Sequence, residues 1–143
     1  MKVERPYAGA LDRLKASGLR PTRQRIALSK LLFEHGDRHV SADALYAEAE
    51  AADVRVALAT VYNTLHQFTK VGLLREVAVD CGRSYFDTNT ADHDHAYVED
   101  TGQLHDIPVQ GVDLDRLPMP PEGTEIARVD VIVRLRGCGA KLT

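Results

Sequence analysis

The sequence predicts an α+β protein in two parts: a winged helix-turn-helix domain over residues 1–88 and a small α/β dimerisation domain over residues 89–143. Three observations predict it. Between Ala57 and Arg75 an apolar stripe of Leu58, Val61, Leu65 and Phe68 recurs at helical spacing. Thr60, Tyr62, Asn63, His66, Gln67 and Lys70 leave the rest of that helix rich in hydrogen-bond donors. Second, three helical segments precede this one and two strand patterns around a turn follow it, the element order of a winged helix. Third, beyond Asp87 the chain turns acidic and richer in Pro and Gly, with short strands. One helix and a few strands are too little to bury a core alone, so this part is expected to complete it across a two-fold axis.

Each element has its own signal. Tyr7 to Ser17 is a short amphipathic helix with Ala10, Leu11 and Leu14 on one side, and Gly18 stands where a C-terminal cap belongs. Pro21 and Thr22 mark the next start, with Thr22 as N-cap and Ile26, Leu28, Leu31, Leu32 and Phe33 as its apolar contacts. Arg20, Arg23 and Arg25 crowd that first turn against the sense of the helix dipole. Cations so placed fit either a nearby phosphate or a solvated basic turn. Gly36 and Asp37 turn the chain, and Ser41 caps a third helix, SADALYAEAEA, packing through Leu45 and Ala49. Asp53 to Val56 leads into the fourth helix, which Gly72 stops. Taken alone, that helix is either an amphipathic helix with a solvated polar face or a DNA recognition helix leading into a β-wing.

Leu73 to Val79 and Arg83 to Asp87 form the wing, around a turn at Asp80-Cys81-Gly82. In the second part, His95 to Glu99 and Leu104 to Ile107 read as strands around Thr101-Gly102, and Val112 to Leu117 as a brief helix. Glu125 to Leu135 alternates best of all. Ala127, Val129, Val131, Val133 and Leu135 face one way, with Arg128, Asp130 and Arg134 opposite.

Composition narrows the function classes. A chain of 143 residues with 44% hydrophobic and 27% charged side chains is ordinary for a globular protein and long enough to bury a core. Runs of transmembrane length are missing, as is a signal-peptide-like start, so no membrane association is expected. Two cysteines, neither in a CxxC, fit a reducing cytoplasm rather than a disulfide scaffold. The net charge of −3 conceals an asymmetry: +4 up to Arg75 and −7 beyond it. The basic part suits a polyanion and the acidic part suits cations.

The chemistry concentrates at His93-Asp94-His95. In an extended segment both imidazoles project to one side and reach one ion. A mixed His and carboxylate set with Asp87 nearby suits manganese, ferrous iron or zinc, and His39 is a further ligand candidate from the first part. Surface histidines without an ion are the plain alternative. Catalytic groupings are weak: there is no nucleophile elbow, no phosphate-binding Gly loop, and no base partner for Cys81. The chain is therefore not expected to be an enzyme, with a metal-dependent hydrolase as the distant alternative.

These residues together resemble the ferric uptake regulator family. The matching pieces are GLRPTRQR, HVSADALY, LATVYNTLHQFTKVGLL, YFDTN and the HDH element, in that order, over about Ala10 to Val133. Within the family the chain looks most like the iron response regulator branch of alphaproteobacteria, through YFDTN with the following HxH and through RVDVIVRL. The resemblance implies a homodimeric, DNA-binding transcription regulator, mainly a repressor, acting on AT-rich inverted repeats of double-stranded DNA. By the same resemblance Arg20 enters the minor groove, Tyr62 contacts bases and Asn63 replaces a usual Arg; Arg23 of the basic turn and Thr60 of the donor-rich helix complete the DNA-binding set. It also implies a metal site at His39, Asp87, His93 and His95, for Mn2+ or Fe2+, with Zn2+ a further occupant in vitro.

The departures from the family pattern are specific. Val98 and Thr101 occupy the positions of a CxxC, and Lys141 stands three residues after Cys138, so a four-cysteine structural zinc site is excluded. A second family metal site maps to Asp92, Asp94, Asp113 and Asp130, which fits either a weak Mn or Mg site or a patch of acids. The iron response branch implies haem sensing and control of iron and haem homeostasis. Asp94 in the middle of the HDH element and the lack of a Cys-Pro motif count against haem here. A manganese- or peroxide-responsive repressor is the alternative within the family.

Overall fold

The computed structural model describes residues 8–34, 36–80, 83–91, 93–107 and 113–138. The chain divides into two compact units, Met1–Thr90 and Ala91–Thr143. Among the described residues no helix is long and apolar enough to cross a membrane.

Among the described residues the first unit holds four helices and a small sheet: α1 (Ala8–Ala16), α2 (Arg23–Phe33), β1 (His39–Val40), α3 (Ala42–Ala51), α4 (Leu58–Lys70), β2 (Arg75–Asp80) and β3 (Arg83–Asp87). The starts are those the caps dictate. Thr22 Oγ1 accepts from the Arg25 amide and Ser41 Oγ from the Ala44 amide, each at 3.2 Å. Three helices end alike. After α1 the Leu19 amide donates back to the Leu14 carbonyl, and after α4 the Leu73 amide donates to the Phe68 carbonyl. Both turns need a residue with positive φ, supplied by Gly18 at 82° and Gly72 at 83°. After α3 the Val54 amide closes on the Ala49 carbonyl, and there Asp53, at φ 56°, takes the left-handed position.

One core joins these elements, with Leu14, Leu28, Leu45, Leu65, Phe68 and Phe86 among its members. Leu65 and Phe68 are fully buried, worth about 1.5–3 kcal/mol each in transfer free energy. The expected stripe needs one correction. Leu58 is 36% exposed while Thr64 is buried. Leu58 opens the helix and has no preceding turn to pack beneath it, whereas Thr64 falls between Val61 and Leu65 on the inner face.

The sheet runs β1-β3-β2, all antiparallel, with His39 opposite Asp87 and Arg75 opposite Asp87 on its other side. The two-residue β1 carries no pattern of its own. The wing strands start and end close to expectation; Cys81 and Gly82 of their turn lie outside the described residues.

The second unit is a sheet ordered β5-β4-β6, built from β4 (Asp94–Val98), β5 (Gln103–Ile107) and β6 (Ile132–Leu135). A hairpin closed by the Gly102 amide on the Val98 carbonyl pairs β4 antiparallel with β5. β6 joins β4 in parallel, and the brief helix expected before it is a single 3-10 turn, Leu114–Arg116. The strand expected over Glu125–Leu135 is only its last four residues. β4 is five residues long and its other edge is taken by β5, so residues 125–130 find no strand to pair with among the described residues. Ile126, in that unpaired segment, and Val133 and Leu135, on β6, are 41–44% exposed.

Candidate metal centre and DNA-facing surface

In the first unit, α4 turns Val61, Leu65 and Phe68 inward and leaves Tyr62, Asn63, His66 and Gln67 exposed, with Thr60 half-buried. Tyr62 is 40% exposed. The N-cap of α4 is Ala57, so its first amides have no side-chain cap. Arg20 and Arg23 are both exposed, Arg23 as the first residue of α2. Arg25 fastens that loop to α4: Nη1 donates to the Arg20 carbonyl and Nη2 to Gln67 Oε1, each at 2.9 Å. The five residues expected to meet DNA thus lie on the α1–α2 loop, the start of α2 and the outer side of α4.

The same unit holds one pair of candidate metal ligands. Pairing β1 with β3 sets His39 beside Asp87, with His39 Nε2 at 3.0 Å from Asp87 Oδ2. Asp87 is fully buried, and its Oδ1 accepts the Asn89 amide at 2.9 Å, which leaves Oδ2 turned to the imidazole. Arg75, also buried, sits on the same rung across β2.

The second unit holds another group. His93 and His95 do lie together, ring centroids 4.5 Å apart, as alternation along an extended segment requires. Asp106 joins them: its Oδ1 is 3.0 Å from His93 Nε2 and 3.5 Å from His95 Nε2. His95 is opposite Asp106 in the β4–β5 register, which puts both on one face. Asp106 was legible only through that register. Counting back across the tight Glu99–Gly102 turn would have found it.

The donor chemistry fits a divalent ion. The Ala91 carbonyl lies 2.5 Å from His93 Nδ1 and can only accept, so Nδ1 carries the proton. That leaves His93 Nε2, 3.0 Å from the Asp106 carboxylate oxygen, as the ring nitrogen placed to share a cation with Asp106. Imidazole nitrogens with carboxylate oxygens suit manganese, iron and zinc.

The other predicted ligands are placed differently. Asp113 accepts the Asp115 amide and faces Arg116 at 3.4 Å, and Asp130 faces Arg128 at 3.0 Å. Among the described residues no group of three candidate ligands includes Asp94, Asp113 or Asp130, and Asp92 lies outside them. Val98 is buried in β4 and Thr101 exposed in the hairpin, where the family's CxxC would stand, and Cys138 is exposed with a free thiol.

Comparison with known proteins identifies the family. Residues 16–132 match the Ferric uptake regulator family. The Peroxide operon regulator of Bacillus subtilis is 38% identical over 104 residues, 73% of this chain and 71% of that protein. The Ferric uptake regulation protein of Bordetella parapertussis is 34% identical over 95 residues, 66% of this chain and 68% of that protein. Among solved structures, the ferric uptake regulator from Pseudomonas aeruginosa with manganese superposes with a TM-score of 0.67 at 26% identity, covering 90% of this chain and 98% of that one. These relatives are regulators and not enzymes. The chain belongs to the ferric uptake regulator family.

Proposed function

We propose that this protein is a homodimeric transcription repressor, acting in the cytoplasm, whose affinity for an AT-rich inverted repeat is set by one divalent cation. His39, Asp87, His93 and His95 hold that cation, with Asp106 as a fifth ligand. One observation carries the reading: each unit presents its own imidazole and carboxylate donors, His39 with Asp87 in one and His93, His95 and Asp106 in the other. An ion that draws ligands from both sets links its own binding to the orientation of the DNA-reading unit. Bound there, manganese or ferrous iron supplies a positive charge that holds carboxylates and neutral imidazoles together. The protein's part is to hold Asp87 beside His39 in a buried place and to orient the His93 ring through the Ala91 carbonyl.

On the DNA side, Tyr62 and Asn63 read bases in the major groove, while Arg20, Arg23 and Thr60 contact the backbone or the minor groove. The apolar faces of β6 and the segment before it, exposed at Ile126, Val133 and Leu135, complete the dimer. The iron response branch, implied by YFDTN with the HDH element and by RVDVIVRL, makes the regulated genes those of iron and haem homeostasis, with haem as a releasing ligand. A second reading has its own support: the relative at 38% identity is a peroxide operon regulator, so oxidant acting at an iron-loaded His cluster is the alternative signal.

Operator binding by fluorescence anisotropy tests this. Metal-stripped protein titrated with manganese should gain affinity, and haem added afterwards should release the DNA. Release by peroxide only, and only after iron loading, would select the second reading. Affinity indifferent to all three ligands would overturn metal control while leaving DNA binding in place.

A further inference from the structure

The inference rests on the reading above, in which a cation at His39 and Asp87 raises operator affinity. We propose that Arg38 is a positioning residue that ties this ligand pair to the helices that read DNA.

Arg38 precedes His39 and Thr88 follows Asp87, so the two form the next rung of the β1–β3 ladder beside the ligand rung. The Arg38 amide donates to Thr88 Oγ1 at 2.8 Å, and the Thr88 amide donates to the Arg38 carbonyl at 3.0 Å. The backbone of Arg38 therefore moves with the ligand pair. Its side chain leaves the sheet for the helices. Nη1 donates to the Leu31 carbonyl in the last turn of α2 at 3.2 Å and to Glu48 Oε1 at 2.8 Å. Nη2 donates to Glu48 Oε2 at 2.7 Å.

This is a two-pronged guanidinium–carboxylate pair, whose planar fork fixes angle as well as distance. The cation also sits at the negative end of α2, where the last carbonyls lack helical partners. Glu48 lies on α3, and α3 shares its core with α4 through Leu45, Ala49, Val61 and Leu65. One side chain thus joins the ligand rung, α2 and α3, and through α3 reaches the recognition helix. A more flexible contact would absorb a shift of the ligand rung, whereas this fork hands it on.

A merely structural pair predicts something different. Ion pairs of this exposure contribute little to stability, 25% and 38% of the two side chains being accessible, so their loss would lower stability slightly and leave the metal response intact. A positioning role predicts that the response itself falls.

The test uses the full chain with Glu48→Gln and Arg38→Lys, the former nearly isosteric in case the latter folds poorly. Glu34→Gln, which weakens the exposed Lys30–Glu34 pair, is the control. Manganese affinity is measured by calorimetry without DNA, operator affinity with and without manganese, and manganese-induced protection of α4 amides by hydrogen exchange. The manganese-induced gain in operator affinity should fall by roughly fivefold or more in both variants, a size typical of coupling between sites, with α4 protection reduced. Manganese affinity should stay within about threefold of wild type, and the control should respond fully. A gain unchanged within twofold, or one lost only in proportion to manganese affinity, would overturn the role of Arg38. A wild-type protein with no manganese response would overturn the metal reading itself, and the positioning role with it.

Discussion

Asp87→Asn separates charge from shape at the candidate metal centre. Asparagine keeps an oxygen to accept the Asn89 amide and an NH2 group to face His39, so the local backbone keeps its support. What disappears is the one negative charge of the first unit's ligand pair, on a side chain with no solvent exposure. A ligand that binds only the folded state stabilises it by RT ln(1 + [L]/Kd), about 2.7 kcal/mol when manganese is a hundredfold above Kd. For a chain of this size that is a rise in Tm of roughly 10 °C. If losing the anionic ligand weakens the site about a hundredfold, the same manganese concentration leaves RT ln 2, about 0.4 kcal/mol, or roughly 1–2 °C. Scanning calorimetry of each variant with and without manganese measures it. Because the shift is read within one variant, any effect on the metal-free protein, such as the altered surroundings of Arg75, cancels. A variant keeping more than half of the wild-type shift would refute Asp87 as a ligand.

Three other substitutions probe separate parts of the molecule. Tyr62→Ala should reduce discrimination between operator and random DNA by about 1–3 kcal/mol, as loss of a base contact does, whereas equal weakening on both DNAs would remove Tyr62 from base reading. Val133→Lys puts a charge on a side chain already 41% exposed, so the isolated chain should tolerate it while dimerisation weakens about tenfold or more; a sedimentation profile unchanged from wild type would refute the interface. Gly72→Ala places a Cβ where no atom lies within 4 Å, so its cost comes from the backbone at φ 83° alone, about 1–2 kcal/mol in chemical denaturation. A negligible cost there would mean that the end of α4 relaxes.

Local chemistry was readable from the chain. Thr22 and Ser41 cap helices because a hydroxyl two or three residues ahead of free amides has the same use wherever it occurs. Gly18 and Gly72 end helices because few residues take positive φ easily, and the spacing of Val61, Leu65 and Phe68 reports a helix whatever surrounds it. His93 and His95 share a side because alternation along a strand is local too.

Tertiary structure decided what depends on pairing. β1 is a strand only because β3 lies beside it, and that pairing is what brings His39 to Asp87. Asp106 joins His93 and His95 through a cross-strand register that no periodicity encodes. The long alternating segment forms four residues of strand, since alternation supplies a suitable edge but a neighbour must supply the hydrogen bonds. Arg38 carried no signal in the sequence, being one more cation in a basic half, until the fold set Leu31, Glu48 and Thr88 around it. Periodicity and capping are fixed by bonds a few residues apart, while a ligand set is fixed by which distant strands meet.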